Sequence, residues 1–167
     1  IESRFDWKKM IGPLVERPTH PGTWSYHSTD GMGLLEFLEW CEDLKMEPVL
    51  GIYAGYSLGG QVVKPGPDLE PYVQEGMEEI EYVTGGADTK WGAVRARDGH
   101  PAPFALRYVE IGNEDNFDRA KTYDGRYAQF YREIGVPELG FLLTCSADFA
   151  LAEGYEGVEL KRTQTIM

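Results

Sequence analysis

With 167 residues the chain is long enough for one hydrophobic core and short for two. Acidic side chains outnumber basic ones 28 to 16, and a formal charge of -12 repels phosphate backbones, which argues against nucleic-acid binding. A hydrophobic fraction of 42% is too rich for a disordered chain, and the apolar runs fall short of the roughly 20 residues a bilayer span needs, so no membrane partner is expected.

Residues 1–28 read as a long ordered loop, broken by Pro13, Pro18 and Pro21 yet holding Phe5, Trp7, Trp24 and Tyr26. A helix is predicted after a Ser28-Thr29-Asp30 capping signal, with Leu34, Phe37, Leu38, Cys41 and Leu44 inward. Pro48 stops it. Val49 to Tyr53 then reads as a parallel strand buried on both faces. Asp68 is expected to cap a second helix with Pro71 in its first turn and Val73, Met77, Ile80 and Val83 along its buried stripe. The acidic run Glu75, Glu78, Glu79 and Glu81 on that helix reads as a solvated face. A loop through Trp91 and Gly99-His100-Pro101 leads to a strand from Leu106 to Ile111. A third helix from Gly125 to Ile134 and a strand from Phe141 to Thr144 complete the pattern, and the last twenty or so residues carry no period. Helices alternating with strands imply βαβ units, an α/β class and a parallel sheet.

Cys41 and Cys145 are too few for a disulfide framework, and no CxxC or HExxH spacing offers a metal site, so no metal or other cofactor is expected. The chemistry concentrates at the strand exit Glu110-Ile111-Gly112-Asn113-Glu114-Asp115, because ligands of parallel α/β folds gather at the carboxyl ends of the strands. A polar turn capping the next helix is the competing explanation. Glu110 and Glu114 share a face in an extended chain, but four residues of strand span about 13 Å. A glycosidase carboxylate pair needs roughly 5 to 9.5 Å, so a partner for Glu114 must come from another strand.

Gly55-Tyr56-Ser57-Leu58-Gly59 matches the nucleophile elbow of serine hydrolases, which must run straight into a helix. The three glycines and two prolines that follow Ser57 within ten residues forbid that helix, so Ser57 reads as a loop serine. His20 and His27 read as turn histidines, and Trp7 and Trp24 serve equally as core anchors or sugar platforms.

The order of segments resembles glycoside hydrolase family 51, the α-L-arabinofuranosidases, in its fungal branch. The resemblance covers residues 5 to about 135 and rests on Ile11-Gly12-Pro13-Leu14, Glu16-Arg17-Pro18, Thr29-Asp30-Gly31-Met32-Gly33-Leu34, Trp40-Cys41-Glu42-Asp43-Leu44, Glu47-Pro48-Val49-Leu50 and Tyr108 to Asp115. It implies a (β/α)8 barrel in which Glu114 is the general acid/base, Asn113 binds the hydroxyl beside the anomeric carbon and Trp24 lines the cleft. Tyr53 stands where bacterial relatives have asparagine. The implied substrates are arabinose-containing plant polysaccharides or oligosaccharides, and family habit implies an extracellular protein, although secretion cannot be read from the chain itself.

A complete barrel takes about 250 residues, so the resemblance implies a fragment spanning about strands 3 to 5, without the nucleophile. Residues 1–147 are expected to form this partial barrel and 148–167 an unassigned tail. Such a fragment is expected to be inactive alone, which leaves a catalytically empty carbohydrate-binding or assembly module as the alternative, with the Ser57 hydrolase behind it. Oligomeric state is not legible in the sequence.

Overall fold

A computed structural model of the chain describes residues 4–22, 24–58, 60–135 and 140–142. The aromatic N-terminal loop contains a hairpin of two short strands, β1 (His20–Pro21) and β2 (His27–Ser28). Helix α1 (Leu34–Leu44), strand β3 (Val49–Ile52) and a second hairpin of β4 (Tyr56–Ser57) and β5 (Gln61–Val62) follow. Helices α2 (Glu70–Thr84) and α3 (Lys90–Asp98), strand β6 (Tyr108–Ile111), helix α4 (Tyr123–Ile134) and strand β7 (Gly140–Leu142) complete the described chain. β3, β6 and β7 lie side by side in that order and run parallel, as helix and strand alternation predicts.

Strand β3 is buried on one face, not on both: Leu50 and Ile52 are 5% and 3% exposed while Val49 is 50% exposed. The register sets Leu50 against Val109 and Ile52 against Ile111, so one apolar layer runs across β3 and β6 beneath the helices. A Cβ at Gly76 of α2 would stand 3.1 Å from Ile52 Cδ1 and 3.4 Å from Phe130 Cε1, so helix meets strand at a residue with no side chain. The other face, carrying Gly51 against Glu110, opens toward a cavity.

Helix α1 begins later than the sequence predicts. Gly33 is its N-cap, and its amide donates to Glu36 Oε2 at 2.9 Å. Asp30 is released to bond elsewhere. The inward stripe is Leu34, Leu35 and Leu38, whereas Phe37 and Leu44, expected inside, are about half exposed because the described chain lays nothing over them. On α2 the N-cap is Leu69 rather than Asp68, Pro71 sits in the first turn, and Val73, Ile80 and Val83 are buried as expected while Met77 is exposed.

The acidic run on α2 is not a solvated face. Arg4 donates through both terminal nitrogens to Glu75 at 2.5 and 2.9 Å, Lys8 and Lys90 both reach Glu78, and the Trp91 amide donates to Glu81 Oε1 at 2.8 Å. Glu79 is 6% exposed. These partners come from the N-terminal segment and from α3, which forms where a loop is expected. Its sequence lacks an apolar period because the side chain it buries is Arg95, whose guanidinium donates to the carbonyls of Tyr82, Val83, Gly85, His100 and Pro101. One cation thereby satisfies the carbonyls at the end of α2 and fixes the approach to β6. The strand expected to run to Thr144 is observed over Gly140–Leu142; Thr144, the boundary at 147 and the tail lie outside the described residues.

Candidate functional site

The turn after β6 is over-determined. Gly112 takes φ +78°, and a Cβ there would fall 2.2 Å from Asp115 Oδ2, so only glycine fits. Its amide donates to the Ile52 carbonyl at 3.0 Å, carrying the ladder one residue past the strand. Asn113 is exposed and Glu114 half-buried, with Glu114 left-handed at φ 53°, ψ 30°. That conformation costs a side-chain-bearing residue about 1–2 kcal/mol, so its surroundings must hold it.

They do so through Arg126. This fully buried side chain donates to Asp115 Oδ1 at 2.5 Å, to Asp118 Oδ2 at 3.1 Å and to the Ala54 carbonyl at the end of β3. Asp118 in turn accepts from the amides of Ala120 at 2.8 Å and Thr122 at 2.9 Å. Burial lifts the Asp115 carboxyl to about 6 against the pull of Arg126. Burial also pushes Asp118 upward, but hydrogen bonds from Thr122 and Arg126 outweigh it and hold Asp118 below the usual carboxylate range.

Beside this turn lies a cavity of about 340 Å³. β3 contributes Tyr53, β4 contributes Tyr56 and Ser57, and the β6 exit contributes Glu110 and Asn113. The β1–β2 hairpin adds His20, Trp24 and Tyr26, and Arg4, Glu75 and Glu79 also line it. The Arg4 guanidinium lies 5.3 Å from the Tyr53 ring centre and 5.6 Å from that of Tyr72, which fixes the Tyr53 wall. Burial raises the Tyr53 hydroxyl above its ordinary range, so it is a neutral donor or acceptor at physiological pH.

Of the residues singled out in the sequence, Asn113 and Trp24 meet at this cavity. Glu114 follows Asn113 on the turn and is not one of the cavity's lining residues, though its charge acts on the Tyr56 hydroxyl that is. The two tryptophans separate: Trp7 is a core anchor at 2% exposed, and Trp24 stands at the rim at 72%. Asp115 turns inward to Arg126.

Ser57 is no nucleophile elbow. It lies in β4, which turns back into β5, and its Oγ is 3.2 Å from the Tyr53 hydroxyl. His100, the one downstream histidine, stacks on Phe104 and lies 2.9 Å from Glu42 Oε2, at the end where the parallel strands begin. Ser57 follows the end where they finish. His20 and His27 are not loose turn residues either: they occupy paired strands, with His20 Nδ1 2.7 Å from Asp30 Oδ1 and His27 Nε2 2.7 Å from Thr19 Oγ1. The sequence reading missed Arg4, His20 and Tyr56 as cavity residues. A signal was available in the Pro21-Gly22 and Ser25 turn residues between two polar, histidine-bearing dipeptides, which is a hairpin pattern.

A family model described as alpha-L-arabinofuranosidase 1 domain matches residues 1–154. Alpha-L-arabinofuranosidase A of Aspergillus niger is 41% identical over 157 residues, or 91% of this chain and 25% of the relative. Alpha-L-arabinofuranosidase 2 of Arabidopsis thaliana is 39% identical over 150 residues, covering 88% of this chain and 22% of that protein. Among solved structures, an arabinose-bound GH51 α-L-arabinofuranosidase superposes with a TM-score of 0.83 at 40% identity, over 93% of this chain and 25% of the other. The arabinose complex of an α-L-arabinofuranosidase from Thermotoga maritima gives 0.68 at 23% identity over 85% of this chain and 28% of that one, a likeness of fold alone. The chain spans about a quarter of the length of the relatives it matches. With a family model running through all its described elements and fungal and plant relatives agreeing, the chain belongs to the α-L-arabinofuranosidase 1 domain family, glycoside hydrolase family 51.

Proposed function

We propose that the chain is an arc of the catalytic (β/α)8 barrel of a retaining α-L-arabinofuranosidase that removes terminal α-L-arabinofuranosyl groups from arabinan or arabinoxylan outside the cell. Glu114 is the acid/base, Asn113 holds the hydroxyl beside the anomeric carbon, and Trp24 is a wall for the sugar. The observation that carries this reading is the left-handed Glu114, held at the carboxyl end of a parallel strand by the Arg126, Asp115 and Asp118 network, beside an aromatic and polar cavity. Strained backbone clusters at active sites, and barrel enzymes place their chemistry at the carboxyl ends of the strands.

In the first step Glu114, as the acid, gives its proton to the departing glycosidic oxygen while a carboxylate from another strand, about 5 to 5.5 Å away, bonds to the anomeric carbon. The carbon–oxygen bond to the aglycone breaks as the glycosyl-enzyme bond forms. In the second step Glu114, now a carboxylate, takes a proton from water, whose oxygen displaces the enzyme carboxylate, and the configuration at the anomeric carbon is retained.

The test uses this chain within a polypeptide of full family length. Glu114→Ala is expected to lower turnover of natural arabinan by about 10²- to 10⁴-fold. An aryl arabinofuranoside with a good leaving group loses less, and azide restores its turnover as the arabinosyl azide. Full activity of the variant on arabinan would remove Glu114 from the mechanism.

A further inference from the structure

We infer that His20 contacts the sugar directly, its Nε2 accepting a hydrogen bond from a hydroxyl of the saccharide ring seated against Trp24. The inference takes its substrate class from the function proposed above and adds a residue to that site.

The hairpin β1–β2 brings His20 and Trp24 to the lining of the same cavity. The imidazole is locked there from two directions. The Phe5 ring meets it edge-on at 6.2 Å and 88°, and its Nδ1 lies 2.7 Å from Oδ1 of Asp30, whose side chain is 1% exposed. Asp30 is itself held: the Ser28 hydroxyl donates to the same oxygen at 3.1 Å, and Arg17 Nη1 donates to the Asp30 carbonyl at 2.9 Å. Arg17 is anchored in turn by Glu36 at 2.6 and 3.0 Å.

A carboxylate can only accept, so Nδ1 carries the hydrogen, and in that Nδ1–H tautomer Nε2 is the ring nitrogen that offers a lone pair. Among the described residues no group hydrogen-bonds His20 Nε2, in contrast to His27, whose Nε2 is taken by Thr19. The ring also borders a second cavity of about 210 Å³, so it stands as a partition between two concave spaces. A fixed acceptor beside an exposed tryptophan face suits a ligand that presents an apolar ring face with hydroxyl donors around it, which is a neutral saccharide. An apolar ligand would leave Nε2 unpaired and desolvated, at a penalty.

The experiment labels the chain with ¹⁵N-histidine and follows the three imidazoles during titration with an α-1,5-linked arabinofuranosyl oligosaccharide. The His20 Nε2 resonance is expected to shift at saturation. A saccharide that moves the Trp24 indole and leaves His20 Nε2 unmoved overturns the contact, as does an absence of saccharide binding. His20→Asn keeps an amide donor for Asp30 and removes the Nε2 position; it is expected to bind the oligosaccharide about tenfold more weakly, the loss of one hydrogen bond. Unchanged affinity in a folded variant overturns the proposal, and if His20→Asn fails to fold, the imidazole shift of the unmodified chain decides. Failure of the acid/base assignment is separately visible, since a Glu114 variant that still turns over leaves the His20 shift intact.

Discussion

In α1 the rings of Phe37 and Trp40 stand about half exposed and contact each other at 6.4 Å, with Leu44 exposed one turn on. In α2 the carboxylate of Glu79 is buried and those of Glu75 and Glu78 are nearly enclosed by arginine and lysine. Both helices carry an apolar stripe of helical period, and both place the unexpected residue type on the flank of that stripe. What differs is the neighbour. Residues 4–10 and α3 bring cations and aromatic rings to the flank of α2, whereas on α1 Arg17 and His100 reach Glu36 and Glu42 and leave Phe37, Trp40 and Leu44 about half exposed. The helical period locates a buried stripe; the width of that stripe is set by whatever arrives from elsewhere in the chain.

The contrast breaks most readily on α1. Leu38→Ala is expected to cost about 2–4 kcal/mol in urea denaturation, as a buried leucine leaving a cavity, while Phe37→Ala stays within about 0.5 kcal/mol. Equal losses would mean that the faces of α1 are assigned wrongly. On α2, Arg4→Ala removes the two hydrogen bonds to Glu75 and the cation held over Tyr53 and Tyr72. A loss of about 1–3 kcal/mol is expected in the same assay, since a mostly enclosed carboxylate is left uncompensated.

The smallest effect sharpens the comparison through its sign. Burial and the nearby Glu75 raise the Glu79 carboxyl well above its ordinary 4.5, so the folded state holds that proton more tightly than the unfolded chain does. Stability from this group is complete below about pH 4 and is lost as pH rises toward the folded-state value. Glu79→Gln is therefore expected to match the parent near pH 4 and exceed it near pH 8. Glu78 behaves oppositely: against the upward push of burial, hydrogen bonds from Lys8 and Lys90 bring it down to about 2. Its contribution is present above 4.5 and lost as pH falls toward 2, so Glu78→Gln is expected to lose most near neutral pH. Parallel pH profiles for the two variants would contradict the enclosure of the acidic flank.

Much of the frame was legible. The apolar runs at β3 and β6, a helix ending at Ile134 and the parallel order all follow from local pattern, because burial under a helix layer demands Leu50, Ile52, Val109 and Ile111 whatever else the chain does. The Asn113-Glu114 exit could be located by its glycine and its carboxylates. Helix α3 could not, since its packing residue is an arginine that bonds five carbonyls, and binary patterning scores arginine as surface. The capping residues failed for a related reason: Asp30 has the right chemistry for an N-cap and is used instead on His20.

The sequence by itself determined an α/β frame, the strand exit that carries Asn113 and Glu114, and the family. Helical and strand periods are local, and glycine, proline and the Asn-Glu pair speak without reference to distant residues. Tertiary structure alone decided which acids are buried, which tryptophan is core and which is rim, and that His20 and Trp24 line one cavity with Asn113 across more than eighty positions of chain. Those outcomes depend on which segments meet in space, and the contacts between Arg4 and Glu75 or Arg126 and Ala54 leave no trace in the spacing of either partner.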